Sequence, residues 1–376
     1  MSFINSKIDP LSLPDCGIRA QFLPHNIAET AQARIKLFMT TGYERDSTNV
    51  LTMIGPSGSG KSQIVRDMIR QIEFRPHWRL GDLIVYMDNA GGEATSAVPI
   101  VGRWDEGKSK ILEGQASLEE IEVCRNTGDA IRPIVYAEVP SDISRKGILK
   151  KILIALGLDV KTTSVSVSDL MAQAHKQLKG QKCRLLILDE AQQMAKPALL
   201  YEYADFIRQF VNGGTIPLML IGLPDTVKLT QNNEQMGRRA KSCIIYEALH
   251  WKEPRDKEAI DAILDNYQAT LALANRPYPV THDDIAKAIY RLSGGLVGRM
   301  SQFLGLALDL AYLTPSKLLT LDILKQAYRE YRFLYASMHG AACPFTNGVK
   351  EEDLLPADFE TGANPEVKKR KRKAEA

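Results

Sequence analysis

An α/β fold, in which a mostly parallel five-stranded sheet is followed by an all-helical domain, is what this 376-residue sequence predicts. Three observations carry the prediction. The apolar run Val50-Leu51-Thr52-Met53-Ile54 leads directly into Gly55-Pro56-Ser57-Gly58-Ser59-Gly60-Lys61-Ser62, the phosphate-binding pattern G-x-x-x-x-G-K-[ST]. Four more apolar runs of strand length follow at residues 134–139, 185–188, 218–221 and 244–249, most of them separated by helical stretches. After Pro254 such runs stop and helical periodicity takes over. Short buried strands alternating with crossover helices form a parallel sheet covered on both faces, and such sheets bind ligands at their carboxyl ends.

Taken in order, residues 27–40 carry apolar positions Ile27, Ala31, Ile35, Phe38 and Met39 at helical spacing, and Arg45-Asp46-Ser47-Thr48-Asn49 is a polar turn. Residues 1–48 therefore read as an N-terminal linker and helix. The glycines of the loop let backbone N–H groups curl around phosphates, Lys61 offers a point charge, and the Ser62 hydroxyl suits Mg2+. Residues 63–72 continue as a helix whose N-terminus faces the anion. Gly55, Ser57, Gly58, Ser59, Gly60, Lys61 and Ser62 are thus the candidate ATP-binding residues.

From about 81 to 127 glycines punctuate mixed polar sequence, which reads as an insertion: a solvated excursion, or an element for a partner. The run 185–188 then delivers Asp189 and Glu190 to the carboxyl edge of the sheet. Asp189 is the candidate metal carboxylate opposite Ser62, and Glu190 the candidate base for the water that attacks the γ-phosphate. This nucleotide-binding domain spans 49–252. The helical domain spans 253–338, with helices over 255–273, 283–292, 296–313 and 322–338. Residues 339–376, rich in Pro, Gly, Asn and acidic residues and ending in Lys368-Lys369-Arg370-Lys371-Arg372-Lys373, read as a disordered basic tail.

Net charge is only +3, and six positive charges sit in that tail, so any contact with nucleic acid has to come from local patches. The five cysteines are scattered without a C-x-x-C pair and the six histidines lack H-E-x-x-H spacing, which argues against a zinc site or disulfide framework. No signal peptide or membrane-spanning run is evident, so the sequence predicts a cytoplasmic protein without membrane contact.

The order of sheet domain and helical lid resembles the AAA+ ATPases. The resemblance implies an arginine finger just before the last strand, at Arg239 with Arg238 as second candidate, in Asn233-Glu234-Gln235-Met236-Gly237-Arg238-Arg239. It also implies a nucleotide-sensing arginine in the lid, at Arg299 of Ser293-Gly294-Gly295-Leu296-Val297-Gly298-Arg299. The strand-end position that carries a polar side chain in such proteins is Ile221-Gly222-Leu223-Pro224-Asp225 here, which offers only Asp225, a departure pointing to slow, regulatory hydrolysis.

More closely, residues 20 to 335 resemble the transposition-regulator ATPases of the TnsC and TniB type, relatives of MuB. The likeness rests on the loop, Asp189-Glu190, Val135-Tyr136 followed by Pro140 and a basic helix, Asn233-Glu234-Gln235, and the segment 294–299. It implies an ATP- and Mg2+-dependent homo-oligomer, ring or helical filament, on double-stranded DNA. It further implies that this assembly links a TniQ- or TnsD-like target selector to transposase subunits. Family members place a lysine and a nearby hydroxyl on the phosphate backbone. Lys146, Lys150 and Lys151 match the first, and Thr162, Thr163, Ser166 and Ser168 are candidates for the second. Such contacts position a protein without reading bases. The basic tail reads as a second DNA contact, a transposase-docking segment or an import-like signal. The stretch Leu188-Asp189-Glu190-Ala191-Gln192 also resembles ExeA-type secretion ATPases, and an AAA+ replication initiator or helicase loader is a further alternative, as is a scaffold that binds ATP without turning it over.

Overall fold

The computed structural model describes residues 25–41, 49–73, 104–105, 110–111, 122–123, 130–158, 164–214, 216–231, 240–273, 277–335 and 341–359. Five strands, β1 (Val50–Ile54), β2 (Ile134–Glu138), β3 (Leu185–Asp189), β4 (Leu218–Gly222) and β5 (Ala240–Ile245), form one sheet in the order β2-β3-β4-β1-β5. Every pairing is parallel. β1, β3 and β4 are buried along their whole length, as strands with both faces covered must be, and their sequences are correspondingly apolar apart from Thr52 in β1 and Asp189 at the end of β3.

Among the described residues, the helices of eight residues or more are α1 (Asn26–Thr41), α2 (Lys61–Glu73), α3 (Arg145–Ala155), α4 (Val167–Gly180), α5 (Leu200–Gly213), α6 (Pro254–Leu273), α7 (Asp283–Ser293), α8 (Val297–Tyr312) and α9 (Leu321–Tyr331). The chain divides into two compact units: a sheet unit of Ala28–Pro56 with Lys61–Tyr246, and a helical unit of Met1–Ile27, Ser57–Gly60 and Glu247–Ala376.

In the sheet unit, register decides which residues meet at the carboxyl edge. Ile54 lies opposite Gly222, and Glu138 opposite Asp189. The Gly55 N–H donates to the Gly222 carbonyl at 3.2 Å, tying the start of the phosphate loop to the end of β4. Ser144 caps α3 by accepting the Gly147 N–H at 3.0 Å, and Ile148, Leu149, Ile152 and Leu153 bury its inner face. Between α2 and β2 in the chain, Trp104–Asp105 pairs antiparallel with Lys110–Ile111, and Glu122–Val123 with Ala130–Ile131.

In the helical unit, α6 to α9 enclose Tyr267, Tyr290, Phe303 and Tyr331. Each buried tyrosine hydroxyl has a partner: Tyr267 with Ser301 at 2.5 Å, Tyr290 donating to the Leu249 carbonyl at 2.8 Å, Tyr331 to the Arg299 carbonyl at 3.2 Å. Gly294 and Gly295, at φ +60° and +76°, end α7, and a Cβ on Gly295 would stand 2.1 Å from the Leu249 carbonyl oxygen. The Leu249 N–H in turn donates to Gly295 O at 3.0 Å. The glycine pair is therefore demanded twice, by backbone conformation and by close approach.

Three expectations are corrected. The apolar run 244–249 is not one strand: β5 ends at Ile245, and Leu249 packs in the helical core, because apolarity alone does not say which core a residue joins. The last helix stops at Tyr331 rather than 338, and Phe333 and Leu334 are exposed. Residues 341–359 of the expected disordered tail are ordered on the helical unit. Phe345 stacks on Phe303 at 5.5 Å, Leu354 and Ala357 are buried, and the Ala357 N–H donates to Gly294 O at 2.8 Å. Those few apolar side chains anchor a segment whose average composition is polar. The cationic run 368–373 lies outside the described residues. Among the described residues, no helix is long and apolar enough to cross a membrane.

Gly295→Ala forces both a strained backbone and a clash with Leu249, and is expected to destabilise the protein by roughly 1–3 kcal/mol. Thermal or urea unfolding of the variant checks this, an unchanged midpoint contradicting it.

Candidate functional site

The phosphate loop leaves β1 and enters α2 with Gly58 and Gly60 at φ +82° and +103°, conformations that turn successive N–H groups inward. Nothing stands within 4 Å of where a Cβ on Gly60 would lie, so the backbone there borders open space. Lys61 is 8% exposed, and its Nζ donates to the Gly55 and Pro56 carbonyls at 2.8 Å each. Burial pushes its ammonium down to about 8, against the pull of the Asp189 and Glu190 carboxylates. A desolvated cation in the first turn of α2 is a group suited to polyanionic phosphate.

Asp189 ends β3 with 2% exposure. Its Oδ2 accepts two hydroxyl groups at 2.5 Å each, Ser62 Oγ from α2 and Tyr136 from β2, while Oδ1 accepts the Glu190 N–H at 2.8 Å. Arg66 of α2 lies 6.0 Å over the Tyr136 ring. Burial, then Asp189, push the Tyr136 phenol up, so it stays a proton donor to the carboxylate. Ser62 Oγ and Asp189 Oδ2 are hard oxygens side by side, the donor type that suits Mg2+ shared with nucleotide phosphates. These residues fit both groups the sequence implies: Lys61 and the loop backbone would hold the phosphates, Ser62 and Asp189 the metal ion.

Glu190 is exposed and adopts the left-handed region, φ 57° and ψ 29°. A non-glycine residue held there is strained by about 1–3 kcal/mol, so surrounding contacts must fix it. Its Oε2 accepts Gln192 Nε2 at 2.5 Å, and Gln192 Oε1 accepts the Leu223 N–H at 3.1 Å. Asp225, the polar candidate after β4, is instead an exposed partner of Lys228 at 2.5 Å.

Within the helical unit, Arg299 in the first turn of α8 is buried against Gly58. Its Cγ lies 3.2 Å from where a Cβ on Gly58 would stand, and the Gly298 N–H donates to Gly58 O at 2.8 Å. A Cβ on Gly298 would come within 2.7 Å of that oxygen. The Arg299 guanidinium lies 4.4 Å over the Tyr335 ring, and its Nε has no hydrogen-bond partner.

The fold thus gathers Gly55, Lys61, Ser62, Asp189 and Glu190 in the sheet unit, and places Ser57, Gly58, Ser59, Gly60 and Arg299 in the helical one. Lys150 and Lys151 are exposed on α3, and Lys146 is half-buried. Ser166 is the N-cap of α4, accepting the Asp169 N–H at 3.1 Å and sharing a hydrogen bond with Ser168 at 2.8 Å. Thr162, Thr163, Arg238 and Arg239 lie outside the described residues. Two site residues escaped the sequence reading of roles. Gln192 stood in plain view two positions after Glu190, and Tyr136 on the strand neighbouring Asp189, but their use depends on register.

A family model described as bacterial TniB protein matches residues 78–248. Among solved structures, Cdc6p from Pyrobaculum aerophilum superposes with a TM-score of 0.52 at 14% identity, over 90% of this chain and 81% of that one. The Aeropyrum pernix ORC1 protein, solved in complex with DNA, gives 0.51 at 14% identity over 84% and 69% of the two chains. The Aeropyrum pernix ORC2 protein, solved as ADPNP-ADP complexes, gives 0.52 at 12% over 84% and 72%. At these identities the likeness is one of fold. No curated protein matches the chain in sequence.

A bound phosphate stabilises the Lys61 ammonium, so the complex keeps its proton to higher pH than the free protein. Nucleotide affinity is then full below about 8 and falls as pH rises through that value, approaching tenfold per pH unit. Calorimetric titration with a non-hydrolysable ATP analogue in buffers of different ionisation heat measures both the decline and the proton uptake. A flat profile across that window contradicts it.

Proposed function

We propose that the chain is a TniB-like ATPase of the AAA+ fold that acts as an ATP-dependent DNA-binding regulator of transposition. The observation that carries the ATP-dependent part is the convergence of Lys61, Ser62, Asp189 and Glu190 at one sheet edge. In this reading Lys61 and the loop N–H groups bind the triphosphate, Ser62 and Asp189 hold Mg2+, and Glu190 orients the attacking water. Arg299 senses nucleotide from α8. Arg239, or else Arg238, reaches the nucleotide of a neighbouring subunit, so that ATP joins subunits into a ring or helical filament. Hydrolysis is slow and resets the assembly, which links a TniQ- or TnsD-like selector to the transposase subunits.

The TniB match supports the transposition assignment. Support for the DNA surface comes from α3, whose apolar residues Ile148, Leu149, Ile152 and Leu153 are buried while Lys150 and Lys151 project outward. Arg145 on the same helix is paired with Glu202 at 2.9 Å, and Ser166 is engaged as a helix cap, which leaves the lysines as the principal contacts. Lys146, Thr162 and Thr163 complete the proposed surface.

Lys61→Ala removes the cation from the phosphate cradle and is expected to abolish ATP-dependent retention of duplex DNA, measured by fluorescence anisotropy with and without ATP. Nucleotide-dependent binding equal to that of the unsubstituted protein would refute the switch. The double substitution Lys150→Ala, Lys151→Ala is expected to weaken binding to unrelated duplexes alike and to reduce the salt slope by up to about 2. An unaltered slope would move the DNA surface elsewhere.

A further inference from the structure

We propose that Gln192 is a positioning residue for ATP hydrolysis, a clamp that fixes the Glu190 carboxylate to the backbone after β4. The inference rests on the hydrolytic reading of Glu190 and adds to it the group that sets the base. Gln192 lies in the 3₁₀ turn Ala191–Ala195, whose Ala191, Met194 and Ala195 are buried, so the turn holds its side chain from below. Its amide uses both ends: Nε2 donates to Glu190 Oε2 at 2.5 Å, and Oε1 accepts the Leu223 N–H at 3.1 Å. The carboxylate only accepts and the backbone N–H only donates, so the chemistry of the two partners dictates which way the amide faces.

Gly222 makes room for this arrangement. A Cβ there would stand 2.4 Å from Gln192 Oε1 and 2.3 Å from Thr226 Oγ1. The end of β4 therefore has no space for a side chain of its own while the Gln192 amide occupies that ground. Thr226 is fully buried and its hydroxyl has no hydrogen-bond partner, so it does not compete for the Leu223 N–H. Asp225, the other polar group of the segment, faces solvent and Lys228. Gln192 is thus the polar side chain that serves this strand end, delivered from β3 rather than from β4.

The clamp reaches the phosphate loop through two further bonds. Gly222 O accepts the Gly55 N–H, and Gly55 O accepts Lys61 Nζ. A continuous path runs from Lys61 through Gly55, Gly222, Leu223 and Gln192 to Glu190. With Oε2 engaged by the amide, Oε1 is the oxygen left to accept a proton from water. The strained left-handed backbone of Glu190 is the kind of conformation that such side-chain bonds help to hold.

Gln192→Leu keeps the approximate volume and removes both bonds. It is expected to lower kcat by about tenfold while KM for ATP changes by less than about twofold, since positioning of the base acts on the chemical step. Independently of turnover, hydrogen exchange of the Leu223 amide is expected to accelerate, because its acceptor is gone. Gly222→Ala, which displaces the amide, should lower kcat in the same way. Glu190→Gln serves as the reference for loss of the base.

Unchanged exchange at Leu223 in Gln192→Leu overturns the clamp itself. Accelerated exchange with an unchanged kcat overturns its role in hydrolysis. If unsubstituted protein and Glu190→Gln turn over ATP equally, the hydrolytic reading fails, and the positioning role fails with it, while the exchange contrast still reports whether the clamp exists.

Discussion

The buried carboxylate of Asp189 is the constraint on which the rest of the sheet edge depends. Hydroxyl groups from α2 and β2 converge on one of its oxygens and the backbone of the next residue takes the other, so three elements are fixed relative to one anionic group. A carboxylate with 2% exposure is costly unless such donors surround it. The same charge draws the Lys61 ammonium, which burial alone would push further down. Cation, anion and their hydrogen-bonded neighbours therefore stabilise one another.

Around that centre the parallel register does the arranging. Because β1 lies between β4 and β5 and β3 beside β4, the ends of β1, β3 and β4 come out at the same edge. Residues that are far apart along the chain, such as Gly55 and Gly222 or Tyr136 and Asp189, become hydrogen-bond partners through that topology. The helical unit uses a different device. There Gly295 and Gly298 let the backbone of Leu249 and the loop residue Gly58 approach within hydrogen-bonding distance, and Arg299 follows immediately in the first turn of α8.

Where sequence reasoning erred, the errors share a cause. The run 244–249 looks like one strand because all its residues but Glu247 are apolar, yet Ile244 belongs to the sheet and Leu249 to the helical core. The segment 341–359 looks disordered because its average is polar, yet Phe345, Leu354 and Ala357 are enough to seat it. Window averages and local periodicity report how apolar a stretch is, and not against which surface each side chain is buried.

The sequence by itself determined the phosphate loop, the paired carboxylates Asp189 and Glu190, four of the five strands and the helical unit, because each is written in contiguous residues whose spacing is the mechanism. Even the lid segment 294–299 was visible as a pattern, although not the Leu249 and Gly58 contacts that require its glycines. Only the tertiary structure decided that Tyr136 serves Asp189, that Asp225 turns to solvent, and that Gln192 takes the place of a side chain on β4. Those outcomes depend on strand register and on sub-ångström differences in available space, and neither is encoded in the residues nearest each group.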